Sequence, residues 1–155
     1  MQQTCITLDR IKTLNSEIRT PQIKGFSVGH IKKSVLIVDD NAFICEALCE
    51  LFQREEDFEI CGIAENGKEA IEKARQLHPD VIVLDFSMPV MNGFDAARVL
   101  QRLMPTVPLI MYSAFGDRLA KHQAQLIGIA EVVSKSENVS VLIQKARNLF
   151  HRAAA

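Results

Sequence analysis

From residue 34 onward, short β-rich apolar runs alternate with stretches in which apolar residues recur every three or four positions. The runs at 35–38, 58–63, 81–84, 108–111 and 131–134 predict strands. Between them, Ile44, Ala47, Leu48, Leu51 and Phe52 predict one helical stripe. Ala70, Ile71, Ala74 and Leu77 predict a second, and Phe94, Ala97, Leu100 and Leu103 a third. A weaker fourth, interrupted by a polar residue, runs through Leu119, Gln123, Leu126 and Ile127. Val139, Leu142, Ile143, Ala146, Leu149 and Phe150 form the last. Gly67 and Gly93 stand at turns into helices, and Pro79, Pro105 and Pro108 fall just ahead of strands.

Strands alternating with helices imply a parallel sheet covered on both faces. The first and third runs are apolar at every position and read as the most buried. That fits an α/β, doubly wound, five-stranded sheet in the order 2-1-3-4-5 with five helices. In such a sheet ligands bind at the carboxyl ends of strands, at the switch point between strands 1 and 3. Residues 34–150 carry this pattern, and residues 151–155 form a short tail. Residues 1–33 are a leader in which Leu8, Ile11, Leu14 and Ile18 fit one face of a short helix before Pro21, Gly25 and Gly29 break it. A poorly ordered leader is the favoured reading. A partner-docking helix and a start codon mis-assigned upstream of Val28 are the alternatives.

The chain of 155 residues suits one hydrophobic core, and its net charge of −1 gives no general attraction to nucleic acid or anionic membrane. No apolar run approaches the ~20 residues that span a bilayer, and no secretory signal pattern opens the chain, so the cytoplasm is the expected compartment. The four cysteines, Cys5, Cys45, Cys49 and Cys61, form no CxxC pair and read as inert core or boundary residues.

The chemistry lies at the strand ends. Asp39 and Asp40 follow the first run directly, and Asp85 ends the third. Three carboxylates at one sheet edge repel one another, so such a cluster is kept for a cation or a proton. Ser113 and Lys135 follow the last two runs and should arrive at the same edge. The set points to metal-assisted phosphoryl chemistry with Asp85 as the nucleophile that becomes an acyl phosphate. Asp40 and Asp85 are expected to bind Mg²⁺ directly, Asp39 directly or through a water, and the Ser87 carbonyl to add a further ligand. Lys135 would neutralise one phosphoryl oxygen and the Ser113 hydroxyl would bond another. Singly, each residue has a plainer explanation: Asp39 and Asp40 as helix caps, Asp85 in a turn, Ser113 as a loop hydroxyl, Lys135 as a surface charge. Jointly those explanations require five coincidences.

The stretches Val35-Leu36-Ile37-Val38-Asp39-Asp40-Asn41, Asp85-Phe86-Ser87-Met88-Pro89-Val90-Met91-Asn92-Gly93, Tyr112-Ser113-Ala114 and Ser134-Lys135-Ser136 resemble the receiver domain of bacterial two-component response regulators. The resemblance covers roughly residues 34–150 and implies the flavodoxin-like receiver fold. It also implies phosphorylation of Asp85 by a sensor histidine kinase or phosphotransfer protein. Asp39 and Asp40 match the family's acidic pair, Ser113 its switch hydroxyl and Lys135 its lysine. Two positions depart from the family pattern. Val132 stands where an aromatic usually precedes the lysine, with Tyr112 or Phe115 as substitutes if they are not simply packed. Ser136 stands where a cis proline usually follows the lysine, which predicts either a trans bond or a strained one. The Ser-Lys-Ser variant resembles receivers that precede a helix-turn-helix domain. After Phe150 too few residues remain for one, so the chain reads as a stand-alone receiver or one truncated from a longer regulator, and no direct DNA binding is expected.

The expected function is therefore a phospho-accepting switch, not a metabolic enzyme. It would change the surface around strands 4 and 5 for an unknown partner protein, with self-association through the last two helices as an option. Phe115 beside the route of attacking water would lengthen the phosphorylated lifetime. A haloacid-dehalogenase-like phosphatase would need an aspartate where Ser87 stands. An FMN module would need a hydroxyl- and glycine-rich loop where Asp39 and Asp40 stand. A degenerate receiver acting as a scaffold would not need all five site residues.

Overall fold

A computed structural model describes residues 31–114 and 118–153. The leader's predicted helix and Phe115 lie outside the described residues. In chain order the elements are β1 (Lys33–Val38), α1 (Ala42–Gln53), β2 (Phe58–Ala64), α2 (Gly67–Leu77), β3 (Val81–Leu84), α3 (Gly93–Leu103), β4 (Leu109–Ser113), α4 (Arg118–Ile127), β5 (Glu131–Ser134) and α5 (Val139–Ala153). The strands form one parallel sheet in the order β2-β1-β3-β4-β5, as the alternating pattern predicts.

Side chains alternate across each strand, so the sheet faces two cores. On one face Val35, Ile37, Val83, Ile110, Tyr112 and Val133 pack with α1 and α5 around Phe52 and Phe58. On the other, Leu36, Val38, Ile82, Leu84 and Met111 pack with α2, α3 and α4. The β1–β2 register slips between Val35 and Leu36, where Cys61 is the extra residue of a bulge. β4 is buried at all five positions, so it ranks with β1 and β3 as a central strand. Its apolar pattern is shortened in the sequence by Tyr112 and Ser113, which belong to the strand and do not follow it.

Two stripes sit differently from their sequence reading. In α1 the buried face is Cys45, Leu48, Cys49 and Phe52, whereas Ala47 is exposed. The two thiols are core groups, and counting them as such rotates the stripe by one residue. Burial pushes their acidity away from use, Cys45 up to about 12 and Cys49 up to about 11. In α4, Ala124 is fully buried while Gln123 and Leu126 face solvent. A small residue at the contact lets this helix lie close to the sheet, and the larger Leu126 is turned outward.

Candidate functional site

Backbone hydrogen bonds carry the ladder one residue past the ends of β1 and β3. The Asp39 N–H donates to the Ala64 carbonyl at 3.0 Å and the Asp85 N–H to the Val38 carbonyl at 2.8 Å. Both side chains are thereby fixed at the carboxyl edge of the sheet. Asp39 is 2 % exposed and Asp85 5 %, while Asp40 is exposed. One carboxylate oxygen from each of the three lies within 4.8 Å of the others. Oxygen donors of this charge and spacing suit a hard divalent cation.

The helix cap does not come from the acids. Asn41 is the N-cap of α1, its side chain accepting from the Phe43 and Ile44 N–H groups at 3.0 and 3.4 Å. Asp39 Oδ1 instead accepts from the Asn41 N–H at 2.9 Å, which fixes that side chain from behind. The Cys45 thiol donates to the Asp39 carbonyl at 3.2 Å. Capping by asparagine leaves Asp40 available to the cluster.

Lys135 closes the site. Its Nζ lies 2.6 Å from Asp39 Oδ2 and 3.2 Å from Asp85 Oδ1. Its own N–H donates to the Ser113 carbonyl at 2.8 Å, placing Ser113 and Lys135 at the same edge. Ser113 ends β4 and is 1 % exposed. Ser87 lies in the exposed loop after Asp85. Burial raises the Asp85 pKa above the ordinary carboxylate value, and the Asp39 charge adds to it, against the pull of Lys135. Burial pulls Lys135 down, but its bond to Asp39 and the charges of Asp39 and Asp85 outweigh that and hold the ammonium above its usual value. One ammonium against three acids leaves excess negative charge.

Some contributors have no sequence signature. The Phe86 N–H donates to Asp85 Oδ1 at 2.8 Å, a backbone donor that residue type does not reveal. The loop from Asp85 into α3 is held by Gly93, whose N–H donates to the Phe86 carbonyl at 2.9 Å. A Cβ on Gly93 would fall 2.1 Å from the Asp85 carbonyl oxygen, so only glycine fits there. That requirement is visible only once the loop is folded.

The two departures from the receiver pattern have local solutions. The Lys135–Ser136 bond is trans, since the described residues contain no cis peptide. The Ser136 N–H, which proline would lack, donates to Ser134 Oγ at 3.2 Å. Val132 is half-buried on the α2–α4 face, whereas Tyr112 is buried on the α1–α5 face with its ring 5.8 Å from Lys135 Nζ. Tyr112 is therefore a packed strand residue on the opposite side of the sheet and does not occupy the place of the missing aromatic.

Comparison with known proteins agrees with this geometry. The family model described as the response regulator receiver domain matches residues 35–147. A protein-glutamate methylesterase/protein-glutamine glutaminase of Methanosarcina acetivorans is 39 % identical over 123 residues, 74 % of this chain and 35 % of that protein. A protein of the same description from Pyrococcus abyssi is 37 % identical over 120 residues, 76 % of this chain and 32 % of that protein. The chain thus spans about a third of the length of these relatives. Among solved structures, the response regulator domain of Thermotoga maritima CheB superposes with a TM-score of 0.70 at 28 % identity, covering 76 % of this chain and 96 % of that one. The CheX–CheY–BeF₃–Mg²⁺ complex from Borrelia burgdorferi gives a TM-score of 0.73 at 28 % identity, covering 77 % and 90 %. The chain belongs to the response regulator receiver domain family, the phospho-accepting modules of two-component signal transduction.

Proposed function

We propose that Asp85 is the phosphoryl acceptor of this receiver and that Asp39, Asp40, Ser87, Ser113 and Lys135 serve it. The observation that carries the assignment is the Lys135 ammonium within 3.2 Å of both Asp39 and Asp85, residues far apart in the chain with no structural need to meet. The Phe86 N–H and the Lys135 ammonium both meet Asp85 Oδ1, which favours Oδ2 as the oxygen that attacks phosphorus. A bond from that oxygen to phosphorus forms as the bond from phosphorus to the donor breaks, and the leaving group departs with the electron pair. Lys135 then turns from Asp85 to a phosphoryl oxygen, and the Ser113 hydroxyl takes another. The acyl phosphate carries about two negative charges where the carboxylate carried one, a net gain of about one that biases the surface around β4 and β5 between two arrangements.

Asp40 and Asp85 would hold Mg²⁺ directly, with Asp39 direct or through a water and the Ser87 carbonyl as a further ligand. The donor set is all oxygen and the carboxylates are within 4.8 Å, which fits that ion. When bound, Mg²⁺ would screen the charge that the acids and the incoming phosphoryl group share. The Borrelia neighbour is a complex containing BeF₃ and Mg²⁺, which supports the same chemistry here.

The donor is a sensor histidine kinase or phosphotransfer protein, and the output is a surface around β4 and β5 read by a partner protein. The exposed Leu126 on α4 favours self-association through the last two helices as part of that output. No helix among the described residues is long and apolar enough to cross a membrane. We assign the chain the role of a phospho-accepting switch. The esterase and glutaminase activity of the longer relatives is not carried over to it.

Incubation with acetyl phosphate and Mg²⁺, read by intact mass, tests the site. The native chain should gain one phosphoryl group, and both Asp85→Asn and removal of Mg²⁺ by chelation should abolish the gain. Equal uptake by Asp85→Asn would place the acceptor elsewhere.

A further inference from the structure

Tyr112 has no part in the chemistry described above, yet the sheet places it in the row that carries the acids. Val38 pairs with Leu84, Leu84 with Met111, and Tyr112 with Val133. One residue further along the strands, Asp39, Asp85 and Tyr112 therefore stand side by side. Strand alternation turns all three to the face that packs with α1 and α5.

Lys135 follows β5, and the sheet order sets β3 and β4 between it and Asp39. To come within 2.6 Å of Asp39 Oδ2, its side chain crosses the strand that carries Tyr112. The ammonium lies over the Tyr112 ring, 5.8 Å from its centroid. That is within reach of a cation–π attraction. The ring itself is 5 % exposed and anchored in the core, so it offers the lysine a fixed surface. We propose that Tyr112 is a positioning residue for phosphoryl transfer, its ring holding the Lys135 side chain across the site while the acids take up Mg²⁺.

The need for such a contact follows from competition for the same carboxylates. The ion pairs of Lys135 run to Asp39 and Asp85, which are also the expected Mg²⁺ ligands. A divalent cation on those oxygens repels the ammonium and neutralises its partners. The ring carries no charge and gives a hard cation no carboxylate oxygen, so its hold on the ammonium outlasts the loading of the acids. Lys135 then remains at the site when a phosphoryl oxygen arrives.

This inference rests on Asp85 as the acceptor and Lys135 as its cation. The test compares the full native chain with Tyr112→Phe, with Tyr112→Phe carrying one, two or three ring fluorines, and with Tyr112→Leu. Fluorine nearly preserves the shape of the ring and drains negative charge from its face, so it weakens the attraction for a cation while packing stays. With acetyl phosphate and Mg²⁺, Tyr112→Phe should take up the phosphoryl group within about twofold of the native rate, and three fluorines should slow it about fivefold. The loss should grow with each fluorine, and Tyr112→Leu should match the most fluorinated chain.

A second readout does not depend on activity. In the NMR spectrum of the chain with isotope-labelled lysine, the Lys135 methylene signals, identified by their loss in Lys135→Arg, should be shifted upfield by the ring. That shift should persist when Mg²⁺ is added without a phosphodonor and vanish in Tyr112→Leu. Uptake rates that are flat across the fluorine series would reduce Tyr112 to core packing and overturn the inference, as would a Lys135 shift that Mg²⁺ abolishes. In either case native uptake leaves the reading of Asp85 standing. A native chain that takes up no phosphoryl group would overturn that reading and this inference together.

Discussion

Val90 adopts φ 67°, in the left-handed region, although it is β-branched and 82 % exposed. Its Cβ crowds the backbone in that conformation at a cost of roughly 1–2 kcal/mol, with no packing contact to offset it. The strain sits in the loop that carries Ser87 between Asp85 and Gly93, where departures from local preference concentrate in functional sites. Asparagine tolerates this conformation far better. Val90→Asn should therefore raise stability by about 1 kcal/mol, seen as a higher urea midpoint with unchanged slope. An unmoved midpoint would mean that the loop relaxes the strain in another way. Residue-scale reading also explains the caps: Asn41, Asn66 and Asn92 each open a helix at the sheet edge that bears the acids. Amide side chains satisfy the helix N–H groups there without adding to the negative charge.

At the scale of elements, the segment from Asp85 to α3 is positioned by close backbone approach. Gly93 lies against the Asp85 carbonyl, and the Gly67 N–H at the start of α2 donates to the Met91 carbonyl at 3.1 Å. Gly93→Ala would place a methyl 2.1 Å from one backbone atom and 2.9 Å from another, neither of which can rotate away. The expected cost is about 3 kcal/mol, at the upper end of overpacking penalties. Mg²⁺ affinity by calorimetry should fall with it, because the Ser87 carbonyl moves with the loop. A variant with native stability and native Mg²⁺ affinity would show that the loop does not depend on this contact. Strand existence, order and the switch point were all legible in the sequence, because buried parallel strands leave continuous apolar runs and carboxylates stand out at their ends. Helix faces were less so. The stripe of α1 was drawn without Cys45 and Cys49, although both read as core or boundary residues, and that of α4 was missed because Ala124 gives a weak hydrophobic signal beside Leu126. Within the site, Asp39, Asp85 and Lys135 could be foreseen as neighbours. The Phe86 N–H and the Gly93 contact could not, since both depend on backbone geometry.

Across the whole molecule, the two cores are joined by the sheet, but the far end of α5 is tied to the turn after α1 by charge. Arg147 Nε and Nη2 donate to the two oxygens of Asp57 at 2.6 and 2.9 Å, and Nη2 also donates to Glu55 at 2.8 Å. The guanidinium lies 5.9 Å from the Phe58 ring, so one planar group joins α5 to the start of β2. The bond from Arg147 holds the Asp57 carboxyl below its ordinary range. A carboxyl whose folded value is depressed adds stability that is complete above its unfolded value, near ~3.9, and is lost as pH falls toward the folded value. Both side chains are more than a third exposed, which screens the pair and keeps its worth to about 1 kcal/mol at neutral pH. Arg147→Ala should therefore lose about that much at pH 7, and less and less as pH falls below about 4, where the two chains converge. Urea midpoints measured from pH 7 down to pH 3 would check this. A deficit that stays constant across the range would mean that Arg147 acts by packing its stem against Phe58 and not through Asp57.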